Sequence, residues 1–235
     1  MGQIHFIGGE KGGVGKSFTA RLLAQYFIDR GQSFLGFDLD ASHGTFSRFY
    51  GEFTRPIKVD DFASLDTLLI TAEAEPDAVL IVDLAAQTAG RLGEWIKQSD
   101  AFNLFASLGY EVFLWHVMDD GADALRLLDK LVDTYSNQPV HFVVVKNLGR
   151  GEDFTGFDTS ACHTKVQGQN GYVISLERLH GPLAQKIDFN NQSFWSAAQV
   201  PNALSLVERQ RVKVWLAAQQ AQLDRLNLLA VVDAN

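Results

Sequence analysis

The chain has 235 residues, 46% of them hydrophobic and 20% charged, with a formal net charge of −8 and one cysteine. That length suits one α/β domain with a buried core, and the acidic balance withdraws support from a diffuse electrostatic grip on nucleic acid while leaving a local basic patch open. The lone thiol, Cys162, excludes an intramolecular disulfide framework and any thiolate cluster held by one chain, and fits a reducing cytoplasm.

In chain order the pattern is strand then helix, repeated. Ile4 to Ile7 is a short apolar strand running into Gly8-Gly9. No basic region or cleavage site precedes it, so a secretory signal is not expected, and a lipidated Gly2 is discounted because the next residues enter a buried strand. Lys16 to Arg30 reads as a helix closed by Gly31, and Ser33 to Phe37 as a strand leading to Asp38 and Asp40. Val79 to Val82 ends in Asp83, and Glu111 to Val117 is the next apolar run. Leu125, Leu128 and Leu131-Val132 have helical spacing and predict a helix over 122–135. Val140 to Val145, followed by Lys146-Asn147, and Tyr172 to Leu176 are the last strands. Gly149 to Gly171 is polar and glycine-rich and reads as a loop or lid; 201–226 reads as a long amphipathic helix, with Val207, Val214, Trp215 and Ala218 on its core face. No run approaches the roughly 20 apolar residues of a membrane span.

Apolar strands separated by helices predict a mostly parallel twisted sheet covered on both faces, with the whole chain as one domain. Ligands of such sheets sit beyond the carboxyl ends of the strands. Gly8, Asp38, Asp83 and Asn147 all fall there.

Gly8 to Ser17, Gly-Gly-Glu-Lys-Gly-Gly-Val-Gly-Lys-Ser, carries the chemistry. A strand, a glycine turn and Gly-Lys-Ser opening a helix make a phosphate cradle in which backbone N–H groups and a helix N-terminus face the anion. Gly12, Gly13, Val14, Gly15, Lys16, Ser17 and Phe18 would bind the nucleotide. Lys16 is placed for the β- and γ-phosphates and the Ser17 hydroxyl for Mg²⁺. Glu10 stands where the strict G-x-x-x-x-G-K-[ST] pattern has glycine, so its side chain is expected to point away from the phosphates.

Lys11 to Ser17 fits instead the deviant form K-G-G-x-G-K-[ST], and in this the chain resembles the ParA/MinD family of partition and positioning ATPases. The resemblance implies a P-loop NTPase fold, ATP and Mg²⁺ as ligands, and a homodimer bridged by ATP, with Lys11 reaching the partner's nucleotide. It implies that Asp40 positions the attacking water, that Asp38 and Asp83 support Mg²⁺ with Ser17, and that Asn147 contacts adenine. Each has a plainer alternative: a solvated acidic turn at Asp38 and Asp40, a cap or turn asparagine at Asn147. The family often continues Pro-Gln after the second acidic residue, where this chain has Ala41-Ser42; it usually has x-Pro after the later Asp, where this chain has Leu84-Ala85. The missing proline predicts a more flexible second switch. Asp40 to Phe46 and Asn190 to Phe194 further resemble a plasmid conjugal-transfer and stability branch, the TraL/StbC-like proteins.

Other residues are weighed and set aside: His43 as a turn histidine, adjacent Cys162 and His163 as a poor metal pair, His5 as a satisfied core residue. Arg209, Arg211, Lys213 and Arg225 could face DNA, or alternate with Glu208 and Asp224 on an ordinary solvated helix. The expected function is an ATP-driven dimerisation switch that positions a cargo such as plasmid DNA, slow alone and stimulated by a protein activator. The alternatives are a transfer or stability accessory ATPase, a nucleotide-binding adaptor with little turnover, and a metal-delivery or reductase-like ATPase; the last would need more cysteines than Cys162.

Overall fold

The structure is a computed structural model and describes residues 1–40, 44–201 and 203–229. The elements in chain order are β1 (Gly2–Gly8), α1 (Lys16–Asp29), β2 (Phe34–Asp38), α2 (Thr45–Tyr50), β3 (Thr54–Pro56), α3 (Phe62–Ala74), β4 (Val79–Asp83), α4 (Ala89–Ser99), α5 (Ala101–Ser107) and β5 (Tyr110–Met118). They continue with α6 (Ala122–Tyr135), β6 (Val140–Asn147), α7 (Thr155–Asp158), α8 (Ala161–Gly168), β7 (Tyr172–Leu176), α9 (Gly181–Phe189), α10 (Phe194–Gln199) and α11 (Leu206–Asp224).

All strand pairings are parallel, in the order β3-β2-β4-β1-β5-β6-β7. Parallel strands buried on both faces must be apolar throughout, as Val79 to Val82 and Phe142 to Val145 are. Alternation then divides the core into two layers. Ile7, Trp115 and Val145 face α1, α2 and α9 to α11; Phe6, Leu114 and Val144 face α3 to α8. Pro56 lies on the edge strand β3, where the missing N–H breaks no central ladder.

β1 is central, with β4 on one side and β5 on the other. Chain order reverses at that point, which opens a crevice at the carboxyl edge. Register brings the ends together: Asp83 is level with Ile7 and with Asp38, and Gly8 with His116.

Two expectations need correction. Residues 149–171 are not an irregular lid, because α7 and α8 lie within them. Ser160 caps α8 by accepting from the His163 N–H at 3.1 Å, and Phe154, Phe157, Cys162 and Val166 bury beneath these turns. The last helix begins at Leu206, where Ser205 and Glu208 form a capping box, and its core face is Val212, Trp215, Leu216, Gln219 and Leu223. Val207 and Val214 are each 60% exposed, and Ala218 is exposed too. No helix among the described residues is long and apolar enough to cross a membrane.

Candidate functional site

The loop from Gly9 to Gly15 wraps over the end of β1 and enters α1. Gly13 and Gly15 have φ of 75° and 106°. Both angles lie where side chains are disfavoured, and Gly15 in this conformation turns the chain into the helix that begins at Lys16. Asn147, at the end of β6, holds the loop from below. Its amide nitrogen donates to the Val14 carbonyl at 2.6 Å and its amide oxygen accepts from the Gly149 N–H at 2.9 Å. The side chain is thus a strut tying β6 to the phosphate loop.

Lys16 is 7% exposed, and its ammonium donates to the Lys11 carbonyl at 3.0 Å. Burial lowers its pKa, while Asp83, Glu10 and Asp40 oppose that shift. The Lys11 side chain lies at the mouth, about half exposed, in an ion pair with Asp119 just past β5. That contact, first by hydrogen bond and then by charge, raises its pKa.

Asp83 is 1% exposed and neither carboxylate oxygen has a hydrogen-bond partner of ordinary geometry. Burial pushes its pKa up to about 7; the adjacent Ser17 hydroxyl and Lys16 pull it down, and Asp38 and Asp40 push it up. A buried carboxylate without ordinary hydrogen bonds beside a serine hydroxyl offers oxygen donors that suit a hard divalent cation, whose remaining ligands would be phosphate and water. Asp38, equally buried, is differently placed: it accepts from the Asp40 N–H at 3.0 Å and the Ser47 N–H at 2.9 Å, tying the end of β2 to the first turn of α2. Asp40 is partly buried at that turn, its carbonyl accepting from the Gly44 N–H at 2.7 Å. Ala41, Ser42 and His43 lie outside the described residues.

Glu10 does point away from the cradle. Its carboxylate accepts from the Ala89 N–H at 3.1 Å, the first residue of α4, for which Thr88 provides no side-chain cap. A carboxylate there also suits the positive end of the helix. Nothing local in the sequence signals this contact, because its partners are far apart in the chain. Lys11 with Asp119 was hidden for the same reason.

The Phe18 ring is turned into the core, where it packs edge-on against Phe194 and Trp215 with centroids 5.2 and 5.5 Å away. Asn190 to Phe194 therefore sits behind α1. His5 is buried and neutral: burial lowers its pKa to about 3, Nδ1 accepts from Trp115 Nε1 at 3.1 Å, and its ring stacks on Phe113. Cys162 is buried, and the His163 ring engages the Asp158 carbonyl at 2.9 Å. On α11, Arg211 and Lys213 are exposed but lie about 200° apart around the axis, so they form no single stripe. Glu208 is engaged by Lys186, and Asp224 by Arg30.

Comparison with known proteins agrees with this geometry. The family described as the CobQ/CobB/MinD/ParA nucleotide binding domain matches residues 5–165. MobD of Acidithiobacillus ferrooxidans is 28% identical over 178 residues, 74% of this chain and 76% of that protein. A TraL protein of Escherichia coli is 25% identical over 242 aligned residues, 97% of this chain and 100% of that protein. Among solved structures, the MinC:MinD cell division complex of Aquifex aeolicus superposes with a TM-score of 0.54 at 12% identity, covering 100% of this chain and 99% of that one. MinD of Pyrococcus horikoshii with Mg-ADP gives 0.54 at 14% identity, covering 98% and 100%. With its phosphate loop, acidic strand ends and all-parallel sheet, the chain belongs to the CobQ/CobB/MinD/ParA nucleotide-binding family.

Proposed function

We propose that this chain binds and hydrolyses Mg·ATP, and that ATP bridges two copies whose association and release position or transfer a cargo such as plasmid DNA in the cytoplasm. The observation that carries the reading is Asp83, a buried carboxylate without a hydrogen-bond partner of ordinary geometry, beside Ser17 and Lys16 under the phosphate loop. Ser17 and Asp83 would hold Mg²⁺, with Asp38 supporting the ion from the neighbouring strand end. The ion there would neutralise charge on the β- and γ-phosphate oxygens. Lys16 leaves the Lys11 carbonyl for those oxygens, and the backbone of Gly12 to Phe18 surrounds the β-phosphate. Asp40 orients the attacking water. Asn147 keeps a second amide hydrogen while holding Val14, so the strut and an adenine contact are compatible.

Lys11 provides the link to association. Its side chain reaches away from its own phosphate loop toward solvent and Asp119. In a two-fold dimer it would exchange Asp119 for the partner's phosphates, which makes nucleotide part of the interface. The relatives named TraL and MobD support a plasmid-related cargo. DNA contact through α11 has little support, since its cations are dispersed, and a protein partner that stimulates turnover fits better.

Light scattering on wild type, Lys11→Ala and Asp40→Ala, each with ATP and with ADP, tests the cycle. Asp40→Ala should accumulate as an ATP-dependent dimer with little turnover. Lys11→Ala should bind ATP and remain monomeric. A dimer that persists in Lys11→Ala would remove the cross-subunit role. If mass never changes, even with hydrolysis blocked, the reading reduces to a nucleotide-binding adaptor.

A further inference from the structure

A cavity of about 630 Å³ lies on the face of β1 opposite α1, between α4 and α6, and the proposed cycle does not use it. Phe6 and Leu114 form its floor; Leu92 and Ile96 of α4 face Leu127 and Leu131 of α6 across it. The volume falls in the range of small-molecule sites. α4 turns two glycines toward it: a Cβ on Gly90 would meet nothing within 4 Å, and one on Gly93 would come 3.4 Å from the Tyr135 hydroxyl. Glycine inside a helix costs about 1 kcal/mol relative to alanine. Here it sets the α4 wall back and leaves the slot open.

The polar groups are segregated. Both helices run from the carboxyl edge of the sheet toward the amino edge, so Lys97, Lys130, Thr134 and Gln138 gather at the end remote from the phosphate loop. Nearby carboxylates are already engaged: Asp100 accepts from the Asn103 amide at 2.8 Å, and Asp129 and Asp133 both hold Lys165, at 2.8 and 2.7 Å. Among the described residues neither Lys97 nor Lys130 is in an ion pair. At the other end Glu10 is held by the Ala89 N–H, and Leu84 closes the wall. The slot is therefore apolar through its middle, and at the end remote from the phosphate loop two ammonium groups without an ion pair outnumber the one lining carboxylate, Asp100. From Gly90 to Lys97 it spans about 10 Å along α4.

We propose that this cavity binds an amphipathic monocarboxylate of medium chain length, its apolar chain on Phe6 and Leu114 and its carboxylate at Lys97 and Lys130. The test is calorimetric titration of the nucleotide-free full chain with octanoate and with 1-octanol. Wild type should bind octanoate more tightly than octanol. Gly90→Leu, which fills open space and improves helix propensity, should lose both ligands while circular dichroism stays unchanged. Lys97→Gln combined with Lys130→Gln should weaken octanoate at least tenfold and leave octanol as it was. Absence of octanoate binding, or binding unaffected by Gly90→Leu, overturns the site. Octanol bound as tightly as octanoate, or a double variant that loses both equally, overturns the anionic class. No arm depends on ATP, so failure here would leave the proposed hydrolysis cycle standing.

Discussion

Asp38 and Asp83 end neighbouring strands, are level in register and are each 1% exposed, yet they meet opposite fates. Asp38 is satisfied by two backbone N–H groups, that of Asp40 just past its own strand and that of Ser47 in the first turn of α2. Asp83 has no such donors and sits at a proton affinity far above that of an ordinary carboxylate. One acid uses its charge to build local structure; the other keeps its lone pairs and bears the cost of burial. Two Asp residues in similar sequence settings are thus separated by where the following backbone turns, which residue type alone does not reveal.

The largest effect is expected from Lys16→Ala, which removes the cation facing Asp83. Loss of its charge-assisted contacts to the phosphates should weaken ATP binding by on the order of 3 kcal/mol or more. Calorimetry reads this directly, and wild-type affinity would dissolve the assignment of Asp83 and Lys16 to one site. Asp83→Asn comes next and has a defined sign. The folded pKa of about 7 lies above the unfolded value of 3.8, so between them the native state holds a proton that the unfolded state has released. Stability from this group therefore falls as pH rises from about 4 to 7. Asp83→Asn should make the ligand-free protein more stable at neutral pH, by roughly 2 to 3 kcal/mol, and abolish the enhancement of nucleotide affinity by Mg²⁺. His5 and His116, lowered to about 3 and 4 by burial, act oppositely, losing stability as pH falls below about 6.5. The difference between wild type and Asp83→Asn across pH isolates the aspartate. A variant less stable than wild type at pH 7 would mean that Asp83 is satisfied after all.

Legibility followed the range of the interaction. The helix Ala122–Tyr135 and the strand Tyr172–Leu176 have the limits that their periodicity predicts, and the phosphate loop was readable because its chemistry is contiguous. In residues 149–171 the four apolar residues that seat α7 and α8 are too sparse among polar ones to outweigh the loop signal. On α11 the apolar set Val207, Val214 and Trp215 suggested one core face, but only Trp215 meets the core, behind Phe18. Glu10 to α4, Lys11 to Asp119 and Asn147 to Val14 join residues 79, 108 and 133 positions apart. Only the folded sheet edge brings such partners together.

Asp38→Asn tests the other half of the contrast, with the same substitution and the opposite sign. The amide keeps the shape but turns an NH₂ group toward either the Asp40 or the Ser47 N–H, leaving a donor facing a donor. Chemical denaturation should show a loss of about 1 to 3 kcal/mol. Nucleotide affinity should fall less than in Asp83→Asn. If Asp38→Asn were neutral in stability but abolished the Mg²⁺ effect, the two aspartates would have to exchange roles.

The smallest effect is expected at Asp119, which bears on when the site becomes available rather than on what fills it. In the single chain Lys11 is held by Asp119, and the cross-subunit role proposed for it would require that contact to break. Under that proposal Asp119 would compete with the second copy for the same ammonium group. Removing its charge leaves the phosphate loop, Asp83 and the Asn147 strut untouched, so ATP affinity of the monomer should not change. The ATP-dependent dimer should instead form at lower protein concentration in Asp119→Asn, by less than about tenfold, since exposed ion pairs are weak. Raising ionic strength should narrow the gap between variant and wild type, because the wild-type pair is screened while the variant has none to lose. Light scattering across protein concentration, at low and high salt, measures both trends. An unchanged midpoint would mean that Lys11 is not restrained by Asp119 in solution. A midpoint shifted to higher concentration would place Asp119 inside the interface, where it supports the dimer that it was expected to delay.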